Sequence, residues 1–599
     1  MDLKNETNAE GESGMSDMQK ALDASEDRQE QNADSRNDQT TADAFADALF
    51  LEEPSDMQAG YFRIFGLSSL LYAIVYTMCM FQNSSGIAMP VWIAAAIIYA
   101  CVTMKQMSVC TVSRQSSADM RVPGSQPAVR PDGRLRAGSW FYIAVMLLLG
   151  IATFLTDQVS VIWFNYIGFF VMLILFLLHN FYDDSQWDFS KSLTELTVAV
   201  FGAVGCMLVP FTDGYAFCQE RKVRKNKTLR AVMIGLLLSA PVLLFLGFCL
   251  MCADAVFDTM VMHLLSGLRV PVKGMEVAGM LLFGFFSSYC GMRYLIRRSR
   301  TEVKTRKISF DPVIAMTFAG LLSAMYLVFC SVQVVYLFVG SMRLPEGMTY
   351  ADYAHRGFYM LLFVCLVNLA LVLFIRKYFA VHKILNVMLL LICACTFVMM
   401  ASSAYRMFLY IAAYQLTFLR VLVLVTLAAL ALLMAGVVLI ILKPQFPLFR
   451  YSLAVVSVIY LCLAFSHVDG IIASYNLSHA EESEHMDWWY LSQLSMDAAP
   501  AVVDYYEGAS LEVRNQMELG ALRAKQMSEE AVTASDLYGE EDTPDWFAVY
   551  MYKALQAEKS MGLRSFNVSR YRAGKLLSSR IKLPEQLLQT HPDSQNAAQ

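Results

Sequence analysis

The chain has 599 residues, of which 56% are hydrophobic and only 17% are charged, and its formal net charge is −5 at pH 7. Soluble domains carry about 25% charged residues, so this composition excludes a purely soluble enzyme, a fibrous protein and a disordered regulator. It indicates a polytopic membrane protein. The small net charge and the lack of a strongly basic domain argue against nucleic-acid binding.

The first 58 residues are polar and acidic. Residues 1–60 contain 16 acidic and 4 basic side chains, and residues 1–58 include no apolar run long enough for the core of a signal peptide. A segment of this kind buries too little apolar surface to offset the entropy lost when its backbone is ordered. We therefore interpret residues 1–58 as a disordered acidic tail in the cytoplasm.

The middle of the chain contains the runs that predict membrane spans. A helix needs about 20 predominantly apolar residues to cross the bilayer. Eleven runs approach that length, and we expect residues 59–466 to form a transmembrane helical domain. The runs are 62–82, 88–104, 139–156, 159–180, 230–252, 275–296, 312–340, 357–375, 384–404, 419–442 and 449–466.

A twelfth run, 193–211, is weaker because it contains a glutamate and a proline. Loops 105–138, 212–230 and 297–311 each carry six Lys or Arg residues, as cytoplasmic loops do. These loops share one side of the membrane only if the twelfth run does not cross. We therefore expect about eleven spans plus one re-entrant or interfacial helix, with the N-terminus in the cytoplasm and the C-terminus outside it.

Beyond residue 466 the apolar density falls and signals for short helices appear. Asp487 is placed to cap the first of these helices, and Pro500 suits the first turn of the second. An acidic linker over 529–544 separates these helices from two later ones. The sequence therefore predicts a small extracytoplasmic α-helical module, residues 467–599. That stretch contains no cysteine, so disulfides do not stabilise it.

Motifs that carry chemistry are missing from the sequence. It has no HExxH, no GxSxG, no Walker loop and no GxGxxG between a strand and a helix, and its cysteines do not have metal-site spacing. The isolated polar residues within spans, such as Asn165, Gln333 and Asn368, are typical of contacts between helices. We therefore predict no catalytic residue, no cofactor-binding residue and no metal site.

One set of polar residues lies at the outer ends of the spans. Its members are Asp254, Asp258, Arg356, Arg406, Tyr410, Tyr414 and Arg420. Arg406, Tyr410 and Tyr414 recur every four residues, so a helix would gather them on one face, with Arg420 joining more loosely. Pairing of Asp254 or Asp258 with Arg356 or Arg420 would form a structural network at the headgroup level. A ligand site is the alternative interpretation.

Three stretches together resemble a known family. They are EGMTYADYAHRGF at 346–358, RMFLYIAAYQLTFLR at 406–420 and DGIIASYN at 469–476. They resemble the bacterial multi-pass membrane proteins of the domain-of-unknown-function 4153 and 4173 families, over roughly residues 140–510. Gln415 stands where we would expect a glycine of the family. The resemblance implies a bacterial envelope setting and a multi-pass topology, and it implies no activity.

Three functions fit these observations. The first is a non-enzymatic inner-membrane protein for sensing, scaffolding or envelope assembly, with the lipid bilayer and an envelope protein at residues 467–599 as its partners. The second is a transporter or lipid-handling protein that uses the polar outer boundary. The third is a membrane-embedded transferase, which would need Asp254, Asp258, His467 and Asp469 to converge.

Overall fold

The computed structural model describes residues 54–115, 135–182, 189–220, 272–298, 310–335, 350–480, 486–530 and 546–581, with Asp184, Trp187 and scattered positions from 239 to 261. It describes only the backbone at 108–115, at 350–356 and at a few other helix positions. The described part of the chain is helical and has no β-strand, which confirms an all-α polytopic helical bundle. Most of the predicted tail, most of the linker 529–544 and most of the predicted span 230–252 lie outside the described residues.

Helices follow one another along the whole described chain. Those before residue 467 are α1 (Ser55–Met80), α2 (Ala88–Gln115), α3 (Ser139–Leu155), α4 (Val159–Phe181), α5 (Phe189–Gly205), α6 (Val209–Glu220), α7 (Val272–Arg298), α8 (Pro312–Val334), α9 (Tyr350–Tyr378), α10 (Lys383–Tyr414), α11 (Phe418–Leu442) and α12 (Leu448–Phe465). Those after it are α13 (Val468–Ser478), α14 (Trp488–Gln493), α15 (Ala499–Gly508), α16 (Leu511–Glu530), α17 (Trp546–Lys559) and α18 (Val568–Arg580).

Nine helices in the described part of the chain are long and apolar enough to cross a bilayer, and the bent pair α5 and α6 makes a tenth candidate if it is one span. These nine match nine of the eleven predicted spans. Of the other two predicted spans, 139–156 corresponds to α3, an apolar helix of 17 residues, and 230–252 lies mostly outside the described residues. The chain is a multi-pass membrane protein.

Large apolar side chains are exposed on the outer surface of the bundle. Leu321 is 73% exposed, Val328 is 68% exposed and Val387 is 65% exposed. A water-soluble monomer rarely exposes apolar patches on this scale. A lipid bilayer suits such a surface, because its core is apolar and the backbone polar groups of each helix are hydrogen-bonded within the helix.

Most of the buried apolar side chains of the bundle belong to two clusters. The first lies mainly in α1–α7 and includes Trp92, Phe169 and Tyr289. The second lies mainly in α8–α11 and includes Ile392 and Met399. We call α1–α7 the N-terminal half-bundle and α8–α11 the C-terminal half-bundle, and α12 packs against both.

Isolated polar residues join neighbouring spans. The Oδ1 atom of Asn165 accepts a hydrogen bond from the Tyr460 hydroxyl at 2.7 Å, which links α4 to α12. Asn368 accepts from the Tyr326 hydroxyl at 2.6 Å and donates to Thr396 Oγ1 at 3.0 Å. The second pair of bonds links α8, α9 and α10. The prediction that these polar residues make contacts between helices is confirmed.

The segment that the sequence predicted as re-entrant or interfacial forms α5 and α6, whose axes are bent by 54° at the break. Near the start of α5, Glu195 pairs with Arg298 at the end of α7 (3.1 Å). Near the end of α6, the ring of Phe217 lies 5.4 Å from the ring of Phe62, near the start of α1. The start of α1 packs against the end of α7. Both ends of the segment therefore contact α1 or α7, and the bend of 54° fits either a broken span or a re-entrant segment.

Helices α13–α18 pack together at the end of the bundle where α1, α3 and α10 end. Their buried core includes Ile472, Phe547 and Tyr550, and it continues into α12 through Leu463. The predicted cap of α14 is confirmed, because the Asp487 carboxylate accepts a hydrogen bond from a backbone N–H in the first turn of that helix. We call the end of the bundle that α13–α18 contact the module-side end.

Candidate functional site

Three of the predicted site residues share a face near the end of α10. Arg406 is only 7% exposed, and its Nη2 donates to Gln333 Oε1 at 3.1 Å. The Arg406 guanidinium packs directly against the backbone of α9 at Gly357, where a Cβ atom would meet Nη1. The rings of Tyr410 and Tyr414 contact each other with centroids 5.3 Å apart. The guanidinium of Arg406 is therefore fixed between α8, α9 and α10.

Arg420 lies across the turn, in the first turn of α11. The carbon at the centre of its guanidinium lies 4.3 Å from the centroid of the Tyr410 ring. Its Nη1 donates to the carbonyl oxygens of Tyr414 and Gln415. No carboxylate in the described part of the chain forms an ion pair with Arg420. Its charge is held by a ring face and by neutral carbonyl groups.

The turn between α10 and α11 has an unusual backbone. Gln415 adopts φ 67° and ψ 178°, a region that is almost restricted to glycine and costs other residues about 1–3 kcal/mol. This is the position at which a glycine is expected from the resemblance. The turn is held from outside by Asn476 of α13, which accepts from the Leu416 N–H at 2.8 Å and donates to the Leu416 carbonyl at 2.9 Å.

The remaining predicted site residues do not join this group in the described part of the chain. Asp254 is exposed, and its side chain accepts from the backbone N–H of Val256 at 2.8 Å. Asp258 and the side chain of Arg356 lie outside the described residues. The structure thus brings together four of the seven residues, and Asp254 forms no ion pair with Arg420.

A cavity of about 110 Å³ lies beside Arg420 at the module-side ends of α9, α10 and α11. Apolar and aromatic side chains form most of its wall, and a guanidinium, hydroxyls and backbone supply the polar part. The lining residues are Phe358, Tyr359, Met407, Tyr410, Thr417, Leu419 and Arg420.

A second polar centre, which sequence reasoning missed, lies inside the N-terminal half-bundle. Arg293 and Asp213 are both fully buried, and the guanidinium Nε donates to Asp213 Oδ2 at 2.7 Å. The hydroxyl of Tyr289 donates to the same oxygen at 2.8 Å, and the Tyr61 ring lies 4.0 Å from the guanidinium. Ionisable residues are rare within membrane spans. The position of Asp213 directly after the weak twelfth run was therefore the one sequence feature that could have indicated this buried pair.

Polar residues also join α13–α18 to the N-terminal half-bundle. In the short loop between α3 and α4, Asp157 pairs with Arg570 of α18 at 2.5 Å. The hydroxyl of Thr156 donates to Asp497, and Asn567 donates to the Thr156 carbonyl at 2.8 Å. We call this set of contacts the polar joint.

Buried acidic groups gather at the polar joint. Burial raises the pKa of Asp157 and of Asp469 above the ordinary value. A hydrogen bond to Asp497 at 3.2 Å raises the pKa of His467, and burial lowers the pKa of Lys553. No three His, Cys, Asp or Glu side chains in the described residues are arranged to hold a metal ion. The joint therefore resembles a structural network of paired charges.

These features define a multi-pass membrane protein that carries a group of helices on one end of its bundle. The family model described as domain of unknown function (DUF4153) matches residues 143–505. The chain belongs to this family. No curated protein and no solved structure matches it.

Proposed function

We propose that this protein is a non-enzymatic membrane scaffold that presents α13–α18 in a fixed orientation to a protein partner in the cell envelope. The observation that carries the proposal is the way these helices are attached. They follow α12 after one short turn and share its apolar core through Leu463. Partly buried polar bonds hold them to loops of both half-bundles, at Asp157 and at Leu416. A merely tethered domain would need none of these bonds.

The charge distribution supports an extracytoplasmic position for α13–α18. Arg376, Lys377 and Lys443 lie at the ends of α9 and α11 that are far from the module-side end, and Arg450 lies at the corresponding start of α12. Cytoplasmic ends of spans are enriched in Lys and Arg. Reporter fusions at Arg134, Lys225, Lys304 and the C-terminus test this orientation. We expect the first three to report the cytoplasm and the last to report the other side.

A photo-crosslinking experiment tests the scaffold function. A photoreactive residue replaces Leu511, which is 73% exposed on α16, or Leu321, which is equally exposed on the lipid-facing surface of α8. We expect illumination of whole cells to give a discrete protein adduct from position 511 and none from position 321. Absence of any protein adduct from 511 and from other exposed positions of α13–α18 would contradict the proposal.

A transporter or lipid-handling protein is the alternative. The cavity beside Arg420 favours this alternative, because it lies among the ends of spans and the guanidinium of Arg420 lines it. A transferase is less favoured. His467 bonds Asp497 and Asp469 bonds the Ser495 backbone, both beside the polar joint, and Asp254 bonds only within its own turn in the described residues.

A further inference from the structure

The cavity beside Arg420 is lined by the positively charged guanidinium of that residue and by aromatic side chains, and it lies at the end of three spans. We propose that it binds the phosphate of an anionic phospholipid headgroup. The inference deepens the alternative function, lipid handling, and is independent of the scaffold proposal.

The guanidinium of Arg420 retains donors for a ligand. An arginine side chain carries five N–H donors in a planar fork, and the two carbonyl bonds of Arg420 both use Nη1. The N–H groups on Nε and Nη2 remain. Because such a pair of N–H groups matches two oxygens of a phosphate, arginine is favoured wherever phosphate is recognised. Stacking on Tyr410 fixes the plane of the fork.

The backbone adds to this positive potential. Arg420 is the third residue of α11, a helix of 25 residues, and the N-terminus of a long helix carries a partial positive charge. Thr417 is the N-cap of that helix, but its side chain makes no capping hydrogen bond. Since Thr417 also lines the cavity, its hydroxyl is available to a ligand oxygen.

The size and surroundings of the cavity point to a lipid. A volume of about 110 Å³ suits one small polar group and not a whole lipid. Beside it, Leu419 is 52% exposed and Met360 is 70% exposed on the outer surface. A headgroup phosphate could therefore enter the cavity while its acyl chains stay against this apolar surface.

A purely structural arginine makes a different prediction. An arginine that only extends from the apolar belt to the interface contributes its charge to the headgroup region as a whole. The effect of such an arginine on lipid binding would not depend on the shape of a cavity. A variant that fills the cavity but keeps Arg420 therefore separates the two interpretations.

Thermal unfolding of the full-length protein in mixed micelles tests the inference. Dodecyl maltoside micelles contain phosphatidylglycerol or phosphatidylcholine, and a third sample receives inorganic phosphate instead. We expect phosphatidylglycerol to raise the apparent Tm of the wild-type protein by about 3 °C or more, and the other two additions to raise it less. Arg420→Gln should weaken the apparent affinity for phosphatidylglycerol by about tenfold. Lys443→Gln, at the opposite end of the same helix, is the matched control and should retain the shift.

Leu419→Trp is the second variant, and it keeps the fork of Arg420 while filling the cavity. We expect it to lose the phosphatidylglycerol shift, which also covers the case that Arg420→Gln does not fold. Equal shifts in wild-type protein, Arg420→Gln and Leu419→Trp would overturn the inference. A shift with inorganic phosphate and none with lipid would assign the cavity to a soluble anion and overturn the lipid source. Neither result affects crosslinking at Leu511, which tests the scaffold separately.

Discussion

In the N-terminal half-bundle the buried guanidinium of Arg293 faces the carboxylate of Asp213, whereas in the C-terminal half-bundle the guanidinium of Arg420 faces carbonyl oxygens, a tyrosine ring and a cavity. Arg293 is fully buried, but Arg420 is only partly buried. A charge in a low-dielectric interior must be paired. In the first arrangement a carboxylate neutralises the guanidinium, and in the second the guanidinium has no carboxylate partner among the described residues.

The same difference extends to the contacts with α13–α18. The N-terminal half-bundle contacts these helices partly through charges, with Asp157 paired to Arg570. The C-terminal half-bundle contacts them through neutral groups, because Asn476 bonds the backbone of Leu416 and the Tyr490 hydroxyl accepts from the Phe418 N–H at 2.8 Å. An ion pair thus attaches α13–α18 to the N-terminal half-bundle, whereas hydrogen bonds between neutral groups attach them to the C-terminal half-bundle.

The largest expected effect comes from breaking the buried pair of the N-terminal half-bundle. Asp213→Asn leaves the guanidinium of Arg293 buried without its counter-charge, which costs about 3–5 kcal/mol in comparable cases. We expect the free energy of unfolding, measured by titration of mixed micelles with dodecyl sulfate, to fall by that amount. Asp254→Asn is the control, since Asp254 is exposed and, among the described residues, bonds only within its own turn. A loss below about 1 kcal/mol would contradict the view that Arg293 depends on Asp213 as its counter-charge.

Local patterns in the sequence were sufficient to predict the spans and part of the candidate site. Helical periodicity placed Arg406, Tyr410 and Tyr414 on one face, and Asp487 marked the start of α14, because each of these relations joins residues within one helical turn or a few. The pair of Arg293 and Asp213 could not be found in this way. Its partners are 80 residues apart, and only the packing of α5–α7 brings them together.

The polar joint was equally hidden. Asp157 and Arg570 are 413 residues apart, and neither belongs to a motif. Asp157 had the appearance of an ordinary loop residue between two spans. A sequence carries no periodic signal for contacts that form between a loop and a distant helix, so the attachment of α13–α18 required the tertiary structure.

A smaller effect, of opposite sign, is expected in the C-terminal half-bundle. Gln415→Gly relieves a backbone conformation that costs a non-glycine residue about 1–3 kcal/mol, and it removes a buried side-chain oxygen that has no hydrogen-bond partner among the described residues. Glycine also increases the entropy of the unfolded chain, by about 0.5–1 kcal/mol. We therefore expect a net stabilisation of about 1 kcal/mol, seen as a higher apparent Tm in detergent.

Gln82→Gly is the matched control for that variant. Gln82 has φ 52° and lies exposed in the turn between α1 and α2, so the same substitution there removes no buried side-chain amide. We expect a smaller gain. A lower apparent Tm for Gln415→Gly would contradict this expectation. It would mean that the Gln415 side chain stabilises the turn and helps to position the carbonyl group that Arg420 contacts.

The smallest expected effect is a pH dependence confined to the polar joint. The pKa of His467 is raised in the folded protein, so its stabilising contribution is complete below the unfolded value of about 6.5 and is lost as the pH rises through the folded value. The raised pKa of Asp157 acts with the same sign at lower pH, because the folded state binds that proton more tightly.

Hydrogen exchange, corrected for intrinsic rates, can locate this effect in the molecule. Between pH 6 and pH 8.5 we expect protection of amides near Asn567 to decrease, and protection near Leu416 to stay constant, since the bonds at Leu416 involve only neutral amide groups. His467→Gln should remove the part of the change that occurs above pH 6.5. A uniform loss of protection at both places would mean that the two half-bundles hold α13–α18 as one cooperative unit, and that the separation of charged from neutral attachment has no energetic consequence.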